Sequence, residues 1–290
     1  PNAVDAFKSA LAATALRQLY LHHVSSRRIE PLVFDRPAWR ELTSFDCNMA
    51  MSNKSLQHID WPQLTELKMI AVDPRPQQLA RLLARHPLLE IAKIGAHNSR
   101  TAQPAESKDE GKPSAAADAS SVTLSELRLL ELPCADDDLL ARFEFPRLHA
   151  LIMSDARFAR FEALLPNFPA LQTLELHANH LHFAAPPQSP CSTLTTLSLN
   201  CFECTADDIS NAMLAFPALR QLNLQASLRT EPLLALCLRP LKELTMLNYR
   251  YSLLMLEQQS IDAALLHWLL ESCPELDSLI LPANSVKDEA

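Results

Sequence analysis

The sequence predicts an α/β fold of stacked strand-and-return units wound into a curved solenoid, and three observations lead there. The pattern L-x-x-L-x-L recurs along the chain, with most copies starting 22 to 26 residues apart. Leucine makes up 54 of the 290 residues, whereas glycine occurs only 2 times. Apolar positions that alternate and then break for a return segment match a short parallel strand repeated at a fixed period. A single such unit cannot bury its leucine face alone, so neighbouring units must stack.

The copies begin at Leu16, Leu42, Leu64, Leu89, Leu124, Leu148, Leu171, Leu194, Leu219, Leu241 and Leu276, which gives about eleven leucine-rich repeats. The pattern is plainest in Leu171-x-x-Leu174-x-Leu176, Leu194-x-x-Leu197-x-Leu199, Leu219-x-x-Leu222-x-Leu224 and Leu276-x-x-Leu279-x-Leu281. Substitutes such as Ala92, Met69, Met153 and Met246 fill leucine positions elsewhere, and at Leu42 the later positions pass to Phe45 and Cys47. Strands are expected on a concave face, with helices and loops on the convex side. Pro76 to Arg85, Ala156 to Leu165 and Ala206 to Phe216 read as return helices. The last has Thr205 as N-cap, with Asp207 and Asp208 in the first turn, where carboxylates favour the helix dipole.

Two spacings widen to 35 residues. Residues 98–121 contain no large apolar side chain and cannot offset the entropy of ordering, so a disordered insertion is expected inside one domain spanning residues 1–290. Between Met246 and Leu276 the added length carries Ile261, Leu265, Leu266, Leu269 and Leu270 at helical spacing, the mark of a longer return helix.

Composition excludes several function classes. Two glycines cannot build a dinucleotide turn, a phosphate loop or a nucleophile elbow. A net charge of -8 argues against binding nucleic acid through its phosphates. The longest apolar runs fall short of a bilayer span, so no membrane segment is expected. Seven cysteines, an odd number without a disulfide framework, point to a reducing compartment, cytoplasm or nucleus. Pro1 stands where an initiator Met would, and a missing upstream domain is expected.

The runs Cys201-x-x-Cys204-Thr-Ala-Asp-Asp-Ile, Phe216-Pro217-Ala218-Leu219 and Glu271-Ser-Cys273-Pro274-Glu-Leu276 resemble the cysteine-containing leucine-rich repeats of F-box proteins. The resemblance implies substrate recognition for a ubiquitin ligase, through an adaptor-docking F-box that this chain lacks. Leu132-Pro133-x-x-Asp136-x-x-Leu139-Leu140 imitates the start of an F-box but falls on a return segment. Free-standing scaffolds or inhibitors of ribonuclease-inhibitor type share the architecture and remain the alternative.

No catalytic residues, cofactor or metal are expected. His177, His180 and His182 lie near Cys191, Cys201 and Cys204, a set that suits zinc. Aligning Leu171 with Leu194, however, places Cys201 beside Ala178 and Cys204 at a core position, where cysteine serves as a small buried hydrophobe.

The candidate binding residues are those facing outward between and just after the last two leucines of each copy. Between them stand Tyr20, Asp46, Lys68, Lys93, Arg128, Ile152, Glu175, Ser198, Asn223, Thr245 and Ile280. Lys68, Lys93 and Arg128 in succession would repel one another across strands about 4.8 Å apart. Either Glu66 and Glu126 neutralise them or an acidic or phosphorylated peptide does. Ile70 and Leu130 add apolar groups beside the cations, as in a protein-binding face. Further along, Glu175, His177, Asn200 and Asn223 offer a hydrogen-bonding surface. The expected partner is a protein or peptide.

Overall fold

The computed structural model describes residues 16–21, 37–72, 74–97, 122–154, 156–157, 161–180, 183, 190–204, 206–228, 242–247, 271 and 275–280. The insertion at 98–121 and the helix expected near 261–270 lie outside them. In chain order the elements begin with β1 (Gln18–Leu21), a 3-10 turn (Pro37–Glu41), β2 (Ser44–Met51), α1 (Asn53–Gln57), β3 (Glu66–Val72) and α2 (Pro76–Arg85). Then come β4 (Ile91–His97), β5 (Val122–Thr123), β6 (Leu129–Leu132), β7 (Ala135–Asp136), α3 (Asp137–Leu140), β8 (Phe143–Glu144), β9 (Ala150–Met153) and β10 (Ala156–Arg157). A second 3-10 helix (Phe161–Asn167) precedes β11 (Thr173–His180), β12 (Thr196–Cys204), α4 (Ala206–Ala215), β13 (Gln221–Leu228), β14 (Glu243–Leu247) and β15 (Ser278–Ile280).

The fold is α/β, with parallel sheet and few helices, and divides into two compact units: Pro1–Pro133 with Asp138–Pro146, and Cys134–Asp137 with Arg147–Ala290. In the first unit β1, β2, β3, β4 and β6 lie side by side in that order, all parallel. The second unit orders β9, β11, β12, β13, β14 and β15 in the same way.

Strand register follows from a bond that recurs at most steps. One carbonyl just before a strand accepts two N–H groups from the start of the next. Arg17 accepts from Thr43 and Ser44, Thr43 from Thr65 and Glu66, and Thr65 from Glu90 and Ile91. In the second unit His149, Gln172 and Thr195 repeat the arrangement. Threonine strengthens it where present, since Thr43 Oγ1 donates to the Arg17 carbonyl at 2.9 Å and Thr65 Oγ1 to the Thr43 carbonyl at 3.0 Å.

Alternation then sorts the side chains. Leu67, Met69 and Ala71 of β3 are buried and their neighbours half-buried; the same holds for Leu174 and Leu176 of β11 and Leu197 and Leu199 of β12. Among the described residues, eight copies carry another buried side chain three residues before the first leucine: Trp39, Trp61, His86, Leu124, Phe145, Phe168, Cys191 and Phe216. In most copies the chain turns between the two, as in Leu42 N–H to the Trp39 carbonyl and Leu219 N–H to the Phe216 carbonyl, both 3.0 Å. These side chains close the core away from the sheet, with the Trp39 and Trp61 rings 5.5 Å apart and Phe45 set edge-on to Trp61 at 5.0 Å.

The return helices at Pro76–Arg85 and Ala206–Ala215 form as the sequence predicts, the first started by Pro76 at its opening position. The helix expected from Ala156 to Leu165 does not. Ala156 and Arg157 pair with Ala135 and Asp136 as short strands, followed by the 3-10 helix. Pro166 within it has no N–H for an α-helical bond. Asp208 serves α4 differently from a first-turn carboxylate in water: it is buried and its Oδ1 accepts the Phe183 N–H at 3.0 Å, while Asn211 Nδ2 donates to the Phe183 carbonyl at 2.9 Å. The helix thereby holds both backbone polar groups of one residue, Phe183, in the preceding return segment.

Candidate binding face

In the first unit the outward residues line up as Tyr20, Asp46, Lys68, Lys93 and Glu131, each directly opposite the next. Glu131 stands where the sequence pattern places Arg128. Leu124-x-x-Leu127-x-Leu129 and Leu127-x-x-Leu130-x-Leu132 both satisfy the pattern, and the structure adopts the second. Leu127, Leu130 and Leu132 are fully buried, with Leu124 in the core position three residues before. Arg128 consequently precedes the strand on the outside, and Leu130, expected on the face, is core. Burial decides the frame: the chosen one buries four leucines, including one in the site that aromatic side chains fill in other copies.

The cationic column is therefore two lysines flanked by carboxylates. Lys68 Nζ lies 2.6 Å from Glu66 Oε1, and Ser44 Oγ donates to Glu66 Oε2 at 2.9 Å. Hydrogen bonds from Lys68 and Ser44 hold the Glu66 carboxyl below its usual range, and the Glu66 bond raises the Lys68 ammonium above its own. Asp46 is opposite Lys68, and Glu131 is opposite Lys93. Glu126 sits in the turn before β6, where Ser125 Oγ donates to it at 3.3 Å. Without the third cation, the argument for an acidic or phosphorylated ligand loses its basis. Ile70 is half-buried opposite Gly95. The β-bulge after Cys47 sets Ala50, not Asn48, across from Ile70.

The second unit keeps the predicted frame: Ile152, Glu175, Ser198, Asn223, Thr245 and Ile280 are successive partners, and His177, Asn200, Gln225 and Leu247 form the next row. Glu175, His177, Asn200 and Asn223 are thus brought onto one face. His177 Nε2 donates to Glu175 Oε1 at 2.7 Å, and Asn200 Nδ2 donates to His177 Nδ1 at 3.1 Å. Asn223 Nδ2 donates to Ser198 Oγ at 3.0 Å, and Thr196 Oγ1 to Gln221 Oε1 at 2.9 Å. The result is a ladder of polar groups that bond one another and leave further donors and acceptors toward solvent.

Cys201 lies beside Ala178, as the alignment of copies predicts, and is buried. Cys191 is also buried, with Sγ 3.4 Å from Thr193 Oγ1. The side chains of His180, His182 and Cys204 lie outside the described residues, as does Leu181. Among the described residues, no three histidine, cysteine or acidic side chains are grouped to hold a metal, and no helix is long and apolar enough to cross a membrane. A notch between α1 and α2, lined by Leu56, Gln57, Gln78, Arg81, Leu82 and Arg85, holds about 90 Å³, well below the several hundred of a usual ligand pocket.

Comparison with protein-family models and with curated proteins finds no match for this chain.

Proposed function

We propose that the chain is a leucine-rich-repeat solenoid that binds another protein through the outward face of its parallel strands and performs no catalysis. The observation that carries this reading is the in-register row Ile152, Glu175, Ser198 and Asn223 beside His177, Asn200 and Gln225. It is a surface of half-exposed or exposed side chains, polar except for Ile152, with β-strands holding each at a fixed spacing. Such a surface suits many parallel hydrogen bonds to a protein partner better than it suits a reaction, which needs convergent groups around a pocket.

Within this reading the protein is the substrate-recognition part of an F-box-type ubiquitin ligase, by virtue of the cysteine-containing repeats it resembles. A cytoplasmic or nuclear setting follows from the same assignment. A photo-crosslinking residue at Asn223, compared with one at Arg81 on α2, tests the binding face: crosslinks to a partner are expected from Asn223 alone. Copurification of a cullin-ligase adaptor with the protein expressed from its own gene tests the ligase role. A partner captured at Asn223 without any adaptor would instead mark a free-standing scaffold or inhibitor of ribonuclease-inhibitor type.

A further inference from the structure

The two strand faces treat their carboxylates differently. In the first unit each carboxylate of the face has a lysine bonded to it or in the register position opposite: Glu66 bonds Lys68, Asp46 lies opposite Lys68, and Glu131 lies opposite Lys93. Glu175 in the second unit does not. Its neighbours across the sheet are Ile152 and Ser198, with Ala150, Thr173 and Thr196 on one side of that row and His177 and Asn200 on the other. None of these is a lysine or arginine.

The carboxylate is nonetheless held in place. Because Asn200 donates to Nδ1 of His177, that nitrogen serves as the acceptor and the ring proton sits on Nε2, which donates to Glu175 Oε1 at 2.7 Å. The imidazole orients the carboxylate, and no lysine or arginine stands beside it in the register. Among the described residues no donor reaches Oε2, and the Glu175 side chain is 38% exposed. Half-buried Ile152 lies alongside. An oriented carboxylate next to an apolar shelf fits a long cationic side chain, whose methylene stem packs on the apolar group while its head meets the charge.

We propose that Glu175, held by His177 and Asn200, anchors an arginine or lysine side chain of the bound polypeptide, with the stem lying over Ile152. This rests on the strand-face reading above and supplies the partner's chemistry: a basic segment, not the acidic one that the lysine column first suggested.

A displayed random-peptide library selected on the whole chain provides the probe, and the enriched peptides are synthesised and titrated against variants. The expected result has three parts. Enriched peptides share an arginine or lysine, Glu175→Gln weakens them about tenfold, the scale of one charge-assisted hydrogen bond, and Glu175→Lys selects aspartate or glutamate at the same peptide position. Asn223→Arg, which obstructs the neighbouring row, abolishes binding in either case. Binding lost in Asn223→Arg but unchanged in Glu175→Gln would overturn the anchor and leave the strand-face reading standing. Binding indifferent to both variants, or a library without any enriched peptide, would overturn both. Melting of Glu175→Gln at the wild-type temperature ensures that lost binding reports the anchor and not the fold.

Discussion

The buried imidazole of His86 accepts the backbone N–H of Trp61 on Nε2 at 3.3 Å and donates from Nδ1 to the Leu82 carbonyl at 2.7 Å. His86 occupies a core position held by Trp61 in the copy before it and by Phe145 in a later one. A histidine stands there because it satisfies two backbone groups. The Leu82 carbonyl is in the last turn of α2, where helical acceptors run out of partners, since the His86 N–H bonds to Leu83 instead. These roles require the neutral ring, and burial pushes the His86 pKa down.

Folding stability should therefore depend on pH through His86. A pKa lowered in the folded state means that the unfolded chain takes up the proton first. The contribution is complete above the unfolded value of about 6.5 and is lost as pH falls from there toward the folded pKa. His86→Phe should remove this slope. It should also cost about 1–3 kcal/mol at neutral pH, because the Trp61 N–H and Leu82 carbonyl lose their partner. Denaturant midpoints from pH 7.5 down to 5 measure both effects.

Leu130 and Arg128 discriminate the two frames that the sequence allows. With Leu130 fully buried, Leu130→Ala should destabilise by about 2–5 kcal/mol, whereas exposed Arg128→Ser should stay within about 0.5 kcal/mol. Urea denaturation of the two variants is sufficient. A harmless Leu130→Ala would restore the frame starting at Leu124.

Replacing Lys68 and Lys93 together by serine should lower stability by a few tenths of a kcal/mol, the scale of exposed ion pairs, because Glu66 loses its 2.6 Å partner and Asp46 and Glu131 lose the lysines opposite them. Relief of repulsion between the lysines offsets part of the loss. Chemical denaturation at low and high salt should show the deficit shrinking as salt screens the pairs. A more stable double variant would mean that repulsion outweighs the pairing.

Gly95→Ala should stabilise the protein by about 0.4–1 kcal/mol through reduced freedom of the unfolded chain. A Cβ there would meet Ile70 Cγ1 and the Met69 carbonyl oxygen at 3.8 Å, ordinary contact distances. A higher melting temperature is the expected readout.

Asp208→Ala should cost about 1–3 kcal/mol, since the buried N–H of Phe183 is left without its acceptor. Asp208→Asn, which keeps an acceptor oxygen, should recover part of that loss. Thermal melts of the pair separate the hydrogen bond from the packing of α4.

The sequence by itself determined the parallel strands, most of their frames, and the return helices at Pro76 and Ala206, because a period-two leucine pattern repeated at near-constant spacing suits short strands that bury one face side by side. The partnership of Cys201 with Ala178 and the row through Glu175, Ser198 and Asn223 followed from the same alignment. Tertiary structure decided the rest. At Leu124, Leu127, Leu129, Leu130 and Leu132 two frames satisfy the local pattern equally, and only the demand for a side chain in the slot of Trp61 and Phe145 selects between them. The signal is present in the chain as a side chain, large and apolar in most copies and His86 in one, three positions before the first leucine and often followed by proline, and it emerges only when copies are compared beyond the leucines. Which charges share the face is likewise settled by residues brought alongside from strands some 20 to 40 positions away, as Glu131 is brought opposite Lys93. Charge pairing across a sheet depends on register, and register depends on what the core accepts.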